Sequence, residues 1–153
     1  MATLTERRNW IAPTAVVVGN VEIGLQSRVG YNTVLRGEER KIVIGAQTRI
    51  EDNCFIHAFN SQEVVIGSRV TVGYKSTLKN CTVQDEVTIG PRAVVLEGAV
   101  IGKGSFISGG AVVPRGTFVP PYSVFTGIPG EMIKELPMSE FLKERVLKKV
   151  QKA

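Results

Sequence analysis

The sequence predicts an all-β solenoid, a parallel β-helix of about six triangular coils followed by a C-terminal α-helix. Three observations predict it. Aliphatic residues recur every six positions, as in IGPRAV from Ile89, VLEGAV from Val95 and IGKGSF from Ile101. Helical periodicity is absent until the C-terminus. The 153 residues suit one domain, and the 43% that are apolar lie in short Val and Ile groups rather than in a run of the roughly 18 to 20 that a membrane span needs.

Taken in order, the hexads start at Ile11, Val17, Ile23 and Val29, slip after Leu35, and resume at Ile44, Ile50 and Ile56. A four-residue insertion delays the next to Ile66, followed by Val72 and Leu78; a one-residue deletion brings Val83 early, and the array then runs unbroken through Val119. Each hexad makes a short strand and a tight turn, with the aliphatic residue and the small residue at the fifth place pointing inward; glycine after the aliphatic residue is expected to supply turn dihedrals. Three hexads close one coil. Stacking then places Ile11, Val29, Ile50, Val72, Ile89 and Ile107 in one inward column. Val17, Leu35, Ile56, Leu78, Val95 and Val113 form a second, and Ile23, Ile44, Ile66, Val83, Ile101 and Val119 a third. The solenoid is assigned to residues 1–130 and a C-terminal segment to 131–153, where Leu142, Val146 and Val150 recur among charged residues as an amphipathic helix from about Ser139.

Composition narrows the function. The net charge of +5 comes from dispersed Lys and Arg with few aromatic residues among them, a solvated basic surface rather than a nucleic-acid footprint. Cys54 and Cys81 fall on different sides of successive coils, so two reduced thiols are expected. The N-terminus MATLTERRNW lacks the apolar stretch of a secretory signal, although Arg7 and Arg8 suit a very short mitochondrial leader. The expectation is an intracellular protein, in the cytoplasm or the mitochondrial matrix, with no membrane insertion. Gly102-Lys103-Gly104-Ser105 lacks the spacing and strand-to-helix context of a phosphate loop.

Two outward columns carry the functional content. Val16, Val34, Phe55, Thr77, Val94 and Val112 form a mostly apolar stripe just before the second corner of each coil. Solvent gives such a stripe no support, so a cover is expected, either the C-terminal helix or another subunit. Two residues along the chain stand Val18, Arg36, His57, Lys79, Leu96 and Pro114, about 4.8 Å apart at the backbone. His57, the single histidine of the chain, therefore lies between two basic residues at the rim of the stripe.

The hexapeptide signature resembles that of left-handed parallel β-helix proteins, and the handedness is implied by this resemblance. More specifically, VLRGEERKIVIG, TRIEDNCFIH, VTVGYKSTLKNCTV and AVIGKGSFISGGAVVPRGTFVPPYSVFTGIPGEMIKEL resemble the γ-class carbonic anhydrases, in order and over almost the whole chain. The resemblance implies a trimer with a zinc held by three histidines at the subunit interface. His57 matches the first ligand, whereas Tyr74 and Lys79 stand at the positions of the other two. Arg36 and Glu38 match the family's Arg-Gly-Asp, and Glu51-Asp52 its Gln-Asp, in what the resemblance implies is an interface network, with Arg36 pairing to Glu38 or Asp52.

A charged Lys79 about 5 Å from a dication would meet a repulsion of at most about 6 to 7 kcal/mol at an effective dielectric near 20, an upper bound because the lysine can swing away. No cofactor is therefore expected, zinc included, unless a partner subunit donates ligands. The reading that follows is a catalytically inactive γ-carbonic-anhydrase-like subunit with a structural or assembly role. It is a homotrimer, or a heterotrimer with paralogues, for which subunits of respiratory complex I and of dynactin offer precedents in related proteins. Three others stand beside it: a hexapeptide acyltransferase with His57 as general base, a residual carbonic anhydrase, and a bicarbonate-type anion site of Arg36, His57 and Lys79.

Overall fold

The computed structural model describes residues 2–4, 9–60, 62–127 and 131–135. They form a parallel β-solenoid of about six coils with three faces. The first face stacks Trp10–Ile11, Arg28–Val29, Arg49–Ile50, Thr71–Val72, Thr88–Ile89, Phe106–Ile107 and Ser123–Thr126. The second runs from the start of Val16–Ile23 and of Val34–Ile44 through Phe55–His57, Thr77–Lys79 and Val94–Val95 to Val112–Val113. The third takes the ends of those two long strands, then Val64–Ile66, Thr82–Val83, Val100–Ile101 and Phe118–Val119. Val16–Ile23 and Val34–Ile44 thus pass unbroken around the second corner, with a bulge between Gly19 and Val21.

The register is the one the hexads predict. Ile11 pairs with Val29, Val29 with Ile50 and Ile50 with Val72; Leu35 pairs with Ile56 and Ile56 with Leu78; Ile44 pairs with Ile66 and Ile66 with Val83. Apart from Ile11 and Val17 in the first coil, which are partly buried, these columns are buried almost completely, and each large aliphatic side chain so buried contributes about 1.5 to 3 kcal/mol. Small hydroxyl residues complete the interior between coils. The Ser27 hydroxyl donates to the Gly45 carbonyl (2.7 Å) and accepts from the Thr48 amide (3.1 Å); Thr48 repeats this with the Gly67 carbonyl (2.7 Å) and the Val70 amide (3.3 Å). Both cysteines are free and buried.

One expectation about the turns is corrected. The glycine after each aliphatic residue does not supply the left-handed dihedral. That conformation falls at the fourth place of the hexad, on residues such as Gln26, Asn32, Lys75 and Arg92, with φ between 58° and 61°. The second-place glycine is required by close approach instead: a Cβ on Gly24 would sit 2.6 Å from the Gly45 carbonyl carbon, and one on Gly73 would sit 2.6 Å from the Pro91 nitrogen. Coils about 4.8 Å apart leave no room there for a side chain.

Two strands have no hexad and were not foreseen. Ala2–Leu4 pairs in parallel with Val21–Ile23, and Glu131–Glu135 adds antiparallel to Ser123–Thr126. Edge pairing, not a repeat, decides both. The C-terminal segment therefore opens with a strand, while the amphipathic helix expected from about Ser139 lies outside the described residues.

Candidate functional site

The second corner is where the solenoid departs from its repeat, and it carries the site. Residues 37–41 swell the second coil inside the strand Val34–Ile44, and the insertion between Phe55–His57 and Val64–Ile66, described at residues 58–60 and 62–63, forms an arm, the 58–63 arm below. Register pairing sets Val18 beside Arg36, Arg36 beside His57, and His57 beside Lys79. The predicted column is thus assembled, with the histidine between two cationic side chains. Arg36 does not reach Asp52; its Nε donates to Glu38 Oε1 at 2.9 Å.

His57 is half-buried between aromatic neighbours. Its ring lies 4.6 Å from that of Phe59 at a tilt of 35°, and 5.6 Å from that of Phe55 in an edge arrangement. Desolvation pushes its pKa below the usual value; Arg36 and Lys79 push the same way, and the carboxylates of Glu39 and Glu38 oppose them. Next to Lys79, Glu97 is held below its ordinary value. Its own backbone amide is the leading cause, partly offset by desolvation, and Arg115, whose Nε lies 2.9 Å from Glu97 Oε2, and Lys79 add to it.

The 58–63 arm is fastened by groups outside the predicted set. The Ala58 amide donates to the Arg36 carbonyl (3.0 Å) and the Asn60 amide to Glu39 Oε2 (2.8 Å), while Arg40 Nε donates to the Asn60 carbonyl (2.7 Å). Asn80 closes it: the buried Nδ2 donates to the Phe59 carbonyl at 2.6 Å and also to the Gln62 carbonyl. Its backbone, at φ 44°, occupies the shortened turn left by the one-residue deletion before Val83, the signal that could have singled it out. Phe59 and Glu39 lie in aperiodic insertions, where no column could place them.

The remaining predicted residues gather at the other end of the same strands. Tyr74, 42% exposed at the first corner, donates its amide to Glu51 Oε1 (3.2 Å), and the Arg92 guanidinium stands 5.5 Å over its ring. Asp52 Oδ1 accepts the Tyr31 amide at 2.9 Å. One chain therefore brings together Arg36, Glu38, His57 and Lys79, and separately Tyr74, Glu51 and Asp52. The two groups do not meet within the described residues. Along the stripe, Val16 pairs with Val34, Val34 with Phe55, Phe55 with Thr77, Thr77 with Val94 and Val94 with Val112; Val16 is exposed and the other five are partly so.

Within one chain this donor set holds a single imidazole. A catalytic zinc takes three protein ligands and an open position. Here one imidazole is flanked by a guanidinium and an ammonium, and no group of three or more His, Cys, Asp or Glu among the described residues converges on a metal-sized point.

Comparison with known proteins agrees with the architecture. The model of the bacterial transferase hexapeptide (six repeats) matches residues 80–115. The chain is 44% identical over 142 residues to the Methanocaldococcus jannaschii protein called "Probable carbonic anhydrase", covering 92% of this chain and 89% of that one. It is 34% identical over 141 residues to gamma carbonic anhydrase 1, mitochondrial, of Arabidopsis thaliana, covering 88% of this chain and 51% of the plant protein, so it spans about half of that relative's length. Among solved structures, a hexapeptide transferase family protein from Anaplasma phagocytophilum superposes with a TM-score of 0.87 at 30% identity, covering 99% of this chain and 87% of that one.

Proposed function

The chain belongs to the γ-carbonic anhydrase family of hexapeptide-repeat proteins, and from that premise we propose that it is a catalytically silent member, a structural subunit that trimerises with itself or with paralogues. The observation that carries the proposal is the pairing of Lys79 with His57 on neighbouring strands. An ammonium there competes with a cation for the same place, and its repulsion, at most about 6 to 7 kcal/mol for a charged lysine that does not swing away, weakens a site that already lacks two imidazoles. Without bound metal there is no hydroxide at neutral pH to attack carbon dioxide.

The assembly role rests on the apolar stripe and on the separation of the two polar groups. Arg36, Glu38, His57 and Lys79 sit at one corner and Tyr74, Glu51 and Asp52 at another, an arrangement that a cyclic, head-to-tail interface would bring face to face. In a mixed trimer, an intact paralogue would meet His57 across that interface with its own histidines. Native mass spectrometry tests the assembly: the chain is expected as a trimer, alone or with co-expressed relatives, and Phe55→Glu is expected to reduce it to monomer. A wild-type monomer at micromolar concentration would contradict the proposal. The chemistry is tested by the double replacement Tyr74→His and Lys79→His, which should create stoichiometric zinc binding and carbon dioxide hydration absent from the parent.

A second reading is favoured by one observation. Desolvation and the flanking Arg36 and Lys79 favour the neutral form of the His57 imidazole, the form a general base needs, and hexapeptide acyltransferases use such a base. Acyl-coenzyme A would then raise the melting temperature of the wild type and not of His57→Ala; no shift in either excludes it.

A further inference from the structure

A groove of about 760 Å³ lies away from the His57 column, on the first face, where it opens beside the first corner. Its floor carries two arginines. Arg28 and Arg49 are register partners on adjacent parallel strands, both exposed, and no carboxylate of the described residues lies within ion-pair distance of either. Like charges placed directly opposite each other on neighbouring strands repel. Arg36, Arg69 and Arg115 each face a Glu, Arg40 reaches the Asn60 carbonyl, and Arg92, like Arg28, stacks on an aromatic ring. Among the described arginines, Arg49 alone has no partner for its side chain.

The two carboxylates that line the same groove balance the pair's charge but do not grip either guanidinium, because each is turned to a backbone amide of the corner. Asp52 accepts the Tyr31 amide at 2.9 Å and Glu51 the Tyr74 amide at 3.2 Å. The walls are aromatic. Trp10 and Tyr31 meet edge to face at 5.5 Å, Arg28 stacks 4.9 Å over Trp10, and Tyr31 and Tyr74 are 47% and 42% exposed. A stacked guanidinium has its plane fixed and its donors still free at the edge, the geometry that takes an oxyanion in a two-point grip.

We propose that this groove is a binding site for a planar aromatic molecule bearing a carboxylate or phosphate, its oxyanion held between Arg28 and Arg49 and its ring against the Trp10, Tyr31 and Tyr74 walls. Two guanidinium groups without acidic partners, three accessible rings and an opening of this volume are together what such a ligand requires. The site uses neither His57 nor Lys79; it shares Tyr74, Glu51 and Asp52 with the proposed interface, so its oxyanion grip rests on Arg28 and Arg49.

The chain contains one tryptophan, so Trp10 fluorescence reports the groove directly. Full-length protein is titrated with benzoate and with adenosine monophosphate, while adenosine and inorganic phosphate supply the ring and the oxyanion separately. Calorimetry runs in parallel, and native mass is measured for every variant. Expected are saturable quenching of Trp10 by at least one of the two charged aromatic probes, weaker binding of either half alone, and affinity reduced about tenfold or more by Arg49→Gln but unchanged by Arg115→Gln. Benzoate binding in preference to adenosine monophosphate would mark a carboxylate ligand, and the reverse a phosphate ligand. The proposal is overturned if neither charged probe binds at millimolar concentration or if Arg49→Gln leaves the affinity intact. It is equally overturned if that substitution dissociates the oligomer, because the arginine pair would then be serving a partner subunit's carboxylate. Metal content and oligomeric state of the wild type, which decide the proposed function, are read separately from all of these.

Discussion

Replacing Asn80 should separate two costs that the second corner combines. Its side chain is 3% exposed, its Nδ2 bonds two carbonyls of the 58–63 arm, and its Oδ1 has no partner. Asn80→Gly keeps the φ of 44° accessible but removes both bonds. At about 0.5 to 1.5 kcal/mol net for each, and with some cost recovered because the orphaned oxygen also leaves, the loss is about 1 to 2 kcal/mol. Asn80→Ala loses the same bonds and adds about 1 kcal/mol for a Cβ in the left-handed region, giving about 2 to 3 kcal/mol. Asn80→Asp replaces a two-proton donor by an acceptor aimed at two carbonyls, and should cost the most, above about 3 kcal/mol. Denaturant unfolding at one fixed protein concentration reads the series. The clamp has a second readout: freeing the arm withdraws Phe59 from His57, so the imidazole pKa should rise toward 6.5 in Asn80→Gly. Equal stability of Gly and Ala variants, or an unmoved His57 titration in a destabilised Gly variant, would refute the reasoning.

Other outcomes follow from the same geometry. As the chain's single histidine, His57 gives one resolved imidazole titration by NMR, expected to have its midpoint below 6.5. Because the folded pKa is lowered, the unfolded chain binds the proton more readily, so stability should fall as pH drops from about 6.5 through the folded midpoint, and His57→Gln should abolish that part of the slope. An upward-shifted midpoint would contradict the cation-flanked column. Burial pushes the Cys54 and Cys81 thiols up to about 11 and about 12, so neither should react with a thiol reagent at pH 8 until the chain opens. Rapid labelling of either without denaturant would contradict the packing.

The registers were legible in advance because a hexad is a length measurement: six residues make one side of the triangle, and every third hexad must stack. From this alone Arg36, His57 and Lys79 fall into one column, and Val16, Val34 and Phe55 into another. What six-residue counting cannot reach is anything that leaves the coil. Phe59 and Glu39 lie in inserted arms whose path depends on hydrogen bonds donated by the Asn80 side chain and by the Asn60 amide, and Ala2–Leu4 and Glu131–Glu135 pair at edges that no repeat announces. The glycines of the IG pairs were recognised as turn residues for a different reason from the one that holds. Flexibility is spent at the fourth place, mostly by polar residues in the earlier coils and by glycine in the later ones, whereas the second place is ruled by the next coil's backbone. The Arg28 and Arg49 pair was also legible as adjacent positions of one outward column, but its want of acidic partners is visible only once Glu51 and Asp52 are seen turned to the corner amides.

The central claim is that the His57 column serves an interface and not a metal. Zinc content per trimer, measured by inductively coupled plasma mass spectrometry on wild type and His57→Ala after incubation with zinc and removal of the excess, tests it most directly. Well below one zinc per trimer, the same in both proteins, is the predicted result; stoichiometric zinc in the wild type that disappears in His57→Ala would contradict it.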